Sequence, residues 1–84
     1  MTETEIQQVL FDAVRKIAPE ADLRRLQPEE NLREALDIDS FDFLNLLIGL
    51  HETLDVEIPE ADYGRLTTLS DMVRYLSAKA KQNL

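Results

Sequence analysis

Cysteine is absent from this 84-residue chain, histidine occurs once, and glycine only twice. Each shortage excludes a class of chemistry. Without cysteine there is no disulfide framework, no thiolate metal site and no cysteine nucleophile. A single histidine, His51, leaves no material for a Ser-His-acid triad or a His/Cys metal site. Gly49 and Gly64 alone cannot build a Gly-rich phosphate loop. Acids are plentiful, yet no Asp-x-Asp-x-Asp-Gly run marks a calcium hand. No apolar run approaches the roughly 18 to 20 residues that span a bilayer. The opening MTETEIQQ is acidic and polar, unlike a signal peptide. The expectations are a cytoplasmic protein with no metal, no membrane insertion and no catalytic activity. His51 reads as a surface side chain.

What is present is the composition of a small globular domain. Hydrophobic residues make up 44% and charged residues 31%, a balance typical of folded chains. The length allows one domain, expected over residues 1–84, and a core held by apolar packing alone. Nothing in the pattern demands more than a monomer. The net charge of −8 is concentrated. Between Glu29 and Asp62 stand eleven acidic residues and a single base, Arg33. Such a field repels nucleic acid and anionic membranes, and it steers basic protein surfaces toward it. A solvated acidic surface that aids solubility is the plainer alternative.

The apolar periodicity is helical throughout. Thr2 and Glu5 fit a capping box. Ile6, Val9, Leu10, Ala13, Val14 and Ile17 then form one buried stripe, which Pro19 ends. Residues 19–38 read as a long connection, with Leu23, Leu26, Leu32 and Leu36 as plugs into a core. A short helical turn is expected near Pro28 to Leu32. A second long helix should start at Ser40, with Asp39 as N-cap and Asp42 at N3. Ile38 and Phe43 occupy the positions of a hydrophobic staple. This helix should run to about Leu54. Pro59 can open a short third helix at N1, ending at Gly64. Thr68 and Asp71 resemble a second capping box. Leu69, Met72, Val73 and Leu76 stripe a last helix to about Lys79. No strand is expected. The fold class is all-α, a four-helix bundle with three main helices, one short one and a long first loop.

The helix from Ser40 is apolar around most of its circumference. Phe43, Leu47, Leu50 and Leu54 can form its buried face, with Leu44 and Leu46 on the flanks. Phe41, Asn45 and Ile48 lie on another face beside Asp42 and Glu52. Exposed aromatic and aliphatic groups beside an acidic rim suggest a docking surface. Cover by the short helix and the long loop is the alternative. Ser40 stands at the helix start, where first-turn amides and the helix dipole favour a phosphate group.

The stretch LDIDSFDFLNLLIGLHETLDVEIPEADYGRLTTLSDMVRYL resembles the acyl carrier protein family. Asp39-Ser40-Phe41 is similar to the family's Asp-Ser-Leu attachment motif. Asp55-Val56-Glu57-Ile58-Pro59 is similar to its segment between the second and third helices. The resemblance, to carriers of the free-standing type, covers nearly the whole chain. It implies a phosphoprotein with a 4'-phosphopantetheine arm on Ser40, put there by a magnesium-using phosphopantetheinyl transferase, with Asp39 as the motif acid. Acyl groups would travel as thioesters to loading and processing enzymes with basic docking patches, in fatty acid or related lipid metabolism. Phe41, Asp42, Asn45, Ile48 and Glu52 would meet those partners. Phe43, Leu47, Leu50, Ile58 and Leu69 are candidates to line an acyl pocket.

Departures from the family pattern are specific. Asp37 stands where glycine is common, and aspartate tolerates left-handed backbone better than most residues. Asn45 and His51 stand where acids are common, and Phe43 is bulkier than the usual residue. These changes point to a specialised carrier serving a dedicated lipid or secondary-metabolite pathway. An aminoacyl or peptidyl carrier, and an unmodified acidic helical adaptor, are the alternative readings.

Overall fold

The computed structural model describes residues 2–82. Helix α1 spans Glu3–Ile17, α2 Leu32–Ala35, α3 Ser40–Leu54 and α4 Leu69–Gln82, with 3-10 segments at Leu23–Arg25 and Glu60–Arg65. The described residues contain no strand beyond an isolated antiparallel bridge between Asn31 and Thr68. The all-α class expected from the pattern is the observed one.

Helix α1 begins at the expected box. The Thr2 amide donates to Glu5 Oε1 at 2.9 Å, and the Glu5 amide donates to Thr2 Oγ1 at 3.2 Å. The bond from the Thr2 amide, and then the Thr2 hydroxyl, hold the Glu5 carboxyl below its ordinary range. Ile6, Leu10 and Val14 are buried, and the helix packs against both α3 and α4. One apolar cluster joins these residues to Leu32, Leu36, Phe43, Leu46, Leu47, Leu50, Val56, Leu66, Met72 and Leu76. The area that this cluster removes from water is the main force holding an unstapled chain of this size together.

The long connection differs from expectation in its details. Its helical turn is not at 28–32 but at Leu32–Ala35, capped by Asn31, whose Oδ1 accepts from the Glu34 amide. Pro28 instead lends its carbonyl to the Ser70 amide at 2.9 Å, and Leu32 N bonds Thr67 O at 2.8 Å. The loop is thus tied to the start of α4, a non-local pairing that periodicity does not reveal. Leu32 and Leu36 are buried plugs, whereas Leu23 and Leu26 are half-buried.

Two further boundaries shift. The segment after Pro59 is a 3-10 segment to Arg65 rather than an α-helix to Gly64, and Pro59 is its N-cap, not its N1 residue. Six residues with no side-chain cap cannot offset the cost of a full α nucleus, and 3-10 turns are the common outcome. Helix α4 continues to Gln82 instead of ending near Lys79. Its start has the expected bond from the Asp71 amide to Thr68 Oγ1, 3.0 Å.

Candidate functional site

The start of α3 is built by a short chain of local causes. Helix α2 ends at Leu36, and Asp37 then takes a left-handed conformation, φ 53°. That turn reverses the backbone so that the Ile38 amide bonds Arg33 O at 3.1 Å. Asp39 follows in extended conformation, and its Oδ1 accepts from the Asp42 amide at 2.8 Å. Its carbonyl accepts from the Phe43 amide at 3.0 Å. The amides of Ser40 and Phe41 point out of the helix start, where no preceding carbonyl of the helix can reach them. Ser40 is exposed there. Ile38 and Phe43, the staple pair, are both buried in the core below.

Three serines occur in the chain, Ser40, Ser70 and Ser77. Only Ser40 is exposed; Ser70 is intermediate and Ser77 is buried.

The outward face of α3 carries Phe41 at 72% exposure and Ile48 at 47%. Asn45 and Glu52 are also exposed, and Asp42 is partly so. Phe41, Asn45, Ile48 and Glu52 fall within an arc of about 60° at 3.6 residues per turn. The expected flanking role fails for two residues. Leu46 is 1% exposed and belongs to the core, while Leu44 is 39% exposed and extends the apolar face. The reason is that α1 covers the Leu46 side of the helix and leaves the Leu44 side open. Among the described residues, Asp37, Asp39, Asp42 and Glu52 take part in no ion pair; the pairs involve Asp12, Asp22, Asp62 and Asp71. Arg33, the single base of the acidic segment, lies over the Phe43 ring at 6.0 Å from its centre.

The five candidate acyl-pocket residues are not gathered around one opening. Leu47 and Ile58 line a surface groove of about 270 Å³ with Ile48, Pro59 and Tyr63. Phe43 and Leu50 are enclosed in the core. Leu69 lines a different groove, with Phe11, Leu23 and Leu26.

Three features escaped the sequence pattern. His51 Nδ1 lies 2.6 Å from Val56 O. A carbonyl only accepts, so Nδ1 carries the proton and ties the end of α3 to the next segment. Asp55 ends α3 in left-handed conformation, φ 54°. Leu44 joins the exposed apolar face, for which its position three residues after Phe41 was an available signal. Among the described residues, no group of three or more His, Cys, Asp or Glu could hold a metal, and no helix is long and apolar enough to cross a membrane.

Residues 8–76 match the family model described as the phosphopantetheine attachment site. The chain is 36% identical over 70 residues to an acyl carrier protein of Campylobacter lari, an alignment covering 80% of this chain and 91% of that one. It is 31% identical over 71 residues to an acyl carrier protein of Helicobacter hepaticus, covering 81% and 93%. A solution structure from Anaplasma phagocytophilum assigned as an acyl carrier protein superimposes with a TM-score of 0.82 at 30% identity, covering 94% of this chain and 92% of that one.

Proposed function

The chain belongs to the acyl carrier protein family, and from that premise we propose that Ser40 bears its arm and that the acidic face of α3 docks its partners. Members of the family are carriers, not enzymes, and their cofactor is a covalently attached 4'-phosphopantetheine. The observation that carries the choice of residue is exposure. Ser40 is the one fully exposed serine of the three, Ser70 being partly buried and Ser77 buried.

The helix start fits a phosphate-bearing group. The Ser40 and Phe41 amides are unsatisfied within the helix, and the positive end of the helix dipole lies beneath them. Asp39 holds the first turn, from which Ser40 projects, in shape through its bond to the Asp42 amide. Ser40 Oγ attacks the pantetheine-bearing phosphorus of coenzyme A. The new P–O bond replaces the anhydride bond to the nucleotide, which leaves as adenosine 3',5'-bisphosphate, while the transferase takes the hydroxyl proton. Bound there, the arm supplies a terminal thiol that holds the acyl group as a thioester.

The remaining residues serve delivery. Tethered cargo reaches each partner at high effective concentration, so the protein surface need bind only weakly. Phe41, Leu44 and Ile48 give a small apolar contact. The unpaired carboxylates of Asp42 and Glu52 steer a basic partner and let it leave quickly. Phosphopantetheinyl transferase and acyl-processing enzymes are the partners of the family. The apolar strip, and Asn45 and His51 where the family commonly has acids, support service to a dedicated pathway.

Intact mass spectrometry tests the assignment. The purified chain, first confirmed to carry no arm, is treated with a broad-specificity phosphopantetheinyl transferase, magnesium and coenzyme A. The expected result is a mass gain of one arm in the native chain and in Ser70→Ala, and none in Ser40→Ala. Modification of folded Ser40→Ala would overturn the choice of Ser40. Loading trials with acyl-activating and amino-acid-activating enzymes then distinguish the cargo class.

A further inference from the structure

Gly49 stands in the middle of α3, where glycine is a poor helix former. Two internal causes commonly require glycine in such a place: a left-handed backbone, or an atom packed too close for a side chain. Neither operates here. No glycine among the described residues has positive φ, and a Cβ added to Gly49 would meet nothing within 4 Å. The fold itself therefore gives no reason for the missing side chain.

Its absence does have a consequence at the surface. Between α1 and α3 runs a groove of about 260 Å³, with Gly49 on its wall. Val9, Ala13 and Ile17 give its α1 side an apolar floor between Asp12 and Lys16, and Asn45, Leu46 and Thr53 stand on the α3 side. Asn45 precedes Gly49 by one turn of the same helix and also lies within the arc of Phe41 and Ile48. The groove thus opens at the border of the face that exposes Phe41 and Ile48. From Ser40 to Gly49 the distance along the axis is about 14 Å at 1.5 Å per residue. A standard interface, about 800 Å² per partner, reaches that far.

We propose that the α1–α3 groove at Gly49 is part of the docking surface and receives one apolar side chain that protrudes from the basic surface of a partner enzyme. This rests on the assignment of α3 as the docking helix. Two observations choose that occupant. The groove shares Asn45 with the face that exposes Phe41 and Ile48, and the unpaired carboxylates of Asp42 and Glu52 on the same helix complement a basic surface. Gly49 then acts as a specificity determinant, since any side chain there would fill the space the partner enters.

The test uses the transferase as the partner, with Gly49→Leu to fill the groove, Gly49→Ala to line it, and Gly64→Ala as a control. Gly64 also has open space around it, but it lies outside α3. Thermal melting should show both Gly49 variants at least as stable as the native chain. The KM for the carrier should rise about tenfold in Gly49→Leu, the scale of a steric change in an apolar pocket, with kcat nearly unchanged. Gly64→Ala should match the native chain. In a heteronuclear NMR titration of the native carrier with the transferase, the Gly49 amide and the Val9 methyl signals should shift.

An equal KM in native and Gly49→Leu chains, with those signals unmoved, overturns the proposal and leaves Ser40 attachment intact. A native chain that is never modified overturns the underlying assignment instead. Shifts at Gly49 on acylation without any partner would give the groove to the cargo. Shifts that grow with carrier concentration alone would give it to a second copy. Either result also overturns the proposal.

Discussion

The hydroxyl of Tyr75 donates a 2.6 Å hydrogen bond to Oδ2 of Asp62, joining α4 to the 3-10 segment thirteen residues earlier. The ring is buried, and Arg65 and Lys79 each lie 5.5 Å from its centre. Burial first, then the bond to Asp62, push the Tyr75 phenol up to about 12.

That shift fixes a sign. An unfolded tyrosine loses its proton near 10, while folded Tyr75 keeps its proton to about 12. Between those values the folded state binds more protons, so stability falls as pH rises. The contribution is complete below pH ~10 and lost by about 12. Urea unfolding followed across that range should show the decline, and Tyr75→Phe should remove its Tyr75 component. At neutral pH the same variant should cost about 1 kcal/mol, the net value of one hydrogen bond.

Asp39 has two separable duties. Asp39→Ala removes the cap of α3 and should cost about 1 kcal/mol in denaturant unfolding. Asp39→Asn keeps an oxygen acceptor for the Asp42 amide and should retain nearly all of that stability. If the negative charge also serves the transferase, Asp39→Asn should still slow arm transfer. Equal rates in Asp39→Asn and the native chain would confine Asp39 to capping.

Ser77 points the other way. Its hydroxyl is buried and has no hydrogen-bond partner, which costs desolvation without return. Ser77→Ala should therefore raise stability, by about 1 kcal/mol on the scale of a relieved unsatisfied group, and should improve helix propensity as well. A fall in melting temperature would show that the hydroxyl has a partner in solution.

Phe41 and Ile48 should separate docking from folding. Both are exposed, so Phe41→Ser and Ile48→Ser should change stability by no more than about 0.5 kcal/mol. Both should raise the KM for the carrier in arm transfer. An unchanged KM in the double variant would remove the apolar strip from the docking surface.

The charge distribution predicts a salt response. Asp37, Asp39 and Asp42 crowd the start of α3 without ion pairs among the described residues. Screening their repulsion should raise the melting temperature as salt or a divalent cation is added. A flat response would mean that these carboxylates are too well solvated to oppose folding.

Much of this molecule is decided locally, and that part is legible in the residues. The Thr2–Glu5 box, the Asp39 cap and the stripes of α1 and α4 depend on neighbours within one or two turns. The start of α3 at Ser40 and its end at Leu54 follow from the same short-range rules. At position 37 a left-handed turn was expected from the glycine common there in the family, and aspartate keeps it because it tolerates that backbone. The Ser40 motif, being contiguous, was readable for the same reason.

Long-range packing decided the rest. Whether Leu44 or Leu46 faces solvent depends on which side α1 covers, and both fit the helical period equally well. The helical turn moved to Leu32–Ala35 because residues 28–32 are engaged by the start of α4 through Pro28 O and Leu32 N. The bonds from His51 to Val56 O and from Tyr75 to Asp62 join separate segments, as does the contact of Arg33 with Phe43, and no periodicity encodes them. The groove at Gly49 exists only because α1 lies beside α3 with nothing filling the space a side chain would take. Sequence set the helices and the exposed serine; tertiary structure chose which apolar side chains remain outside for a partner to find.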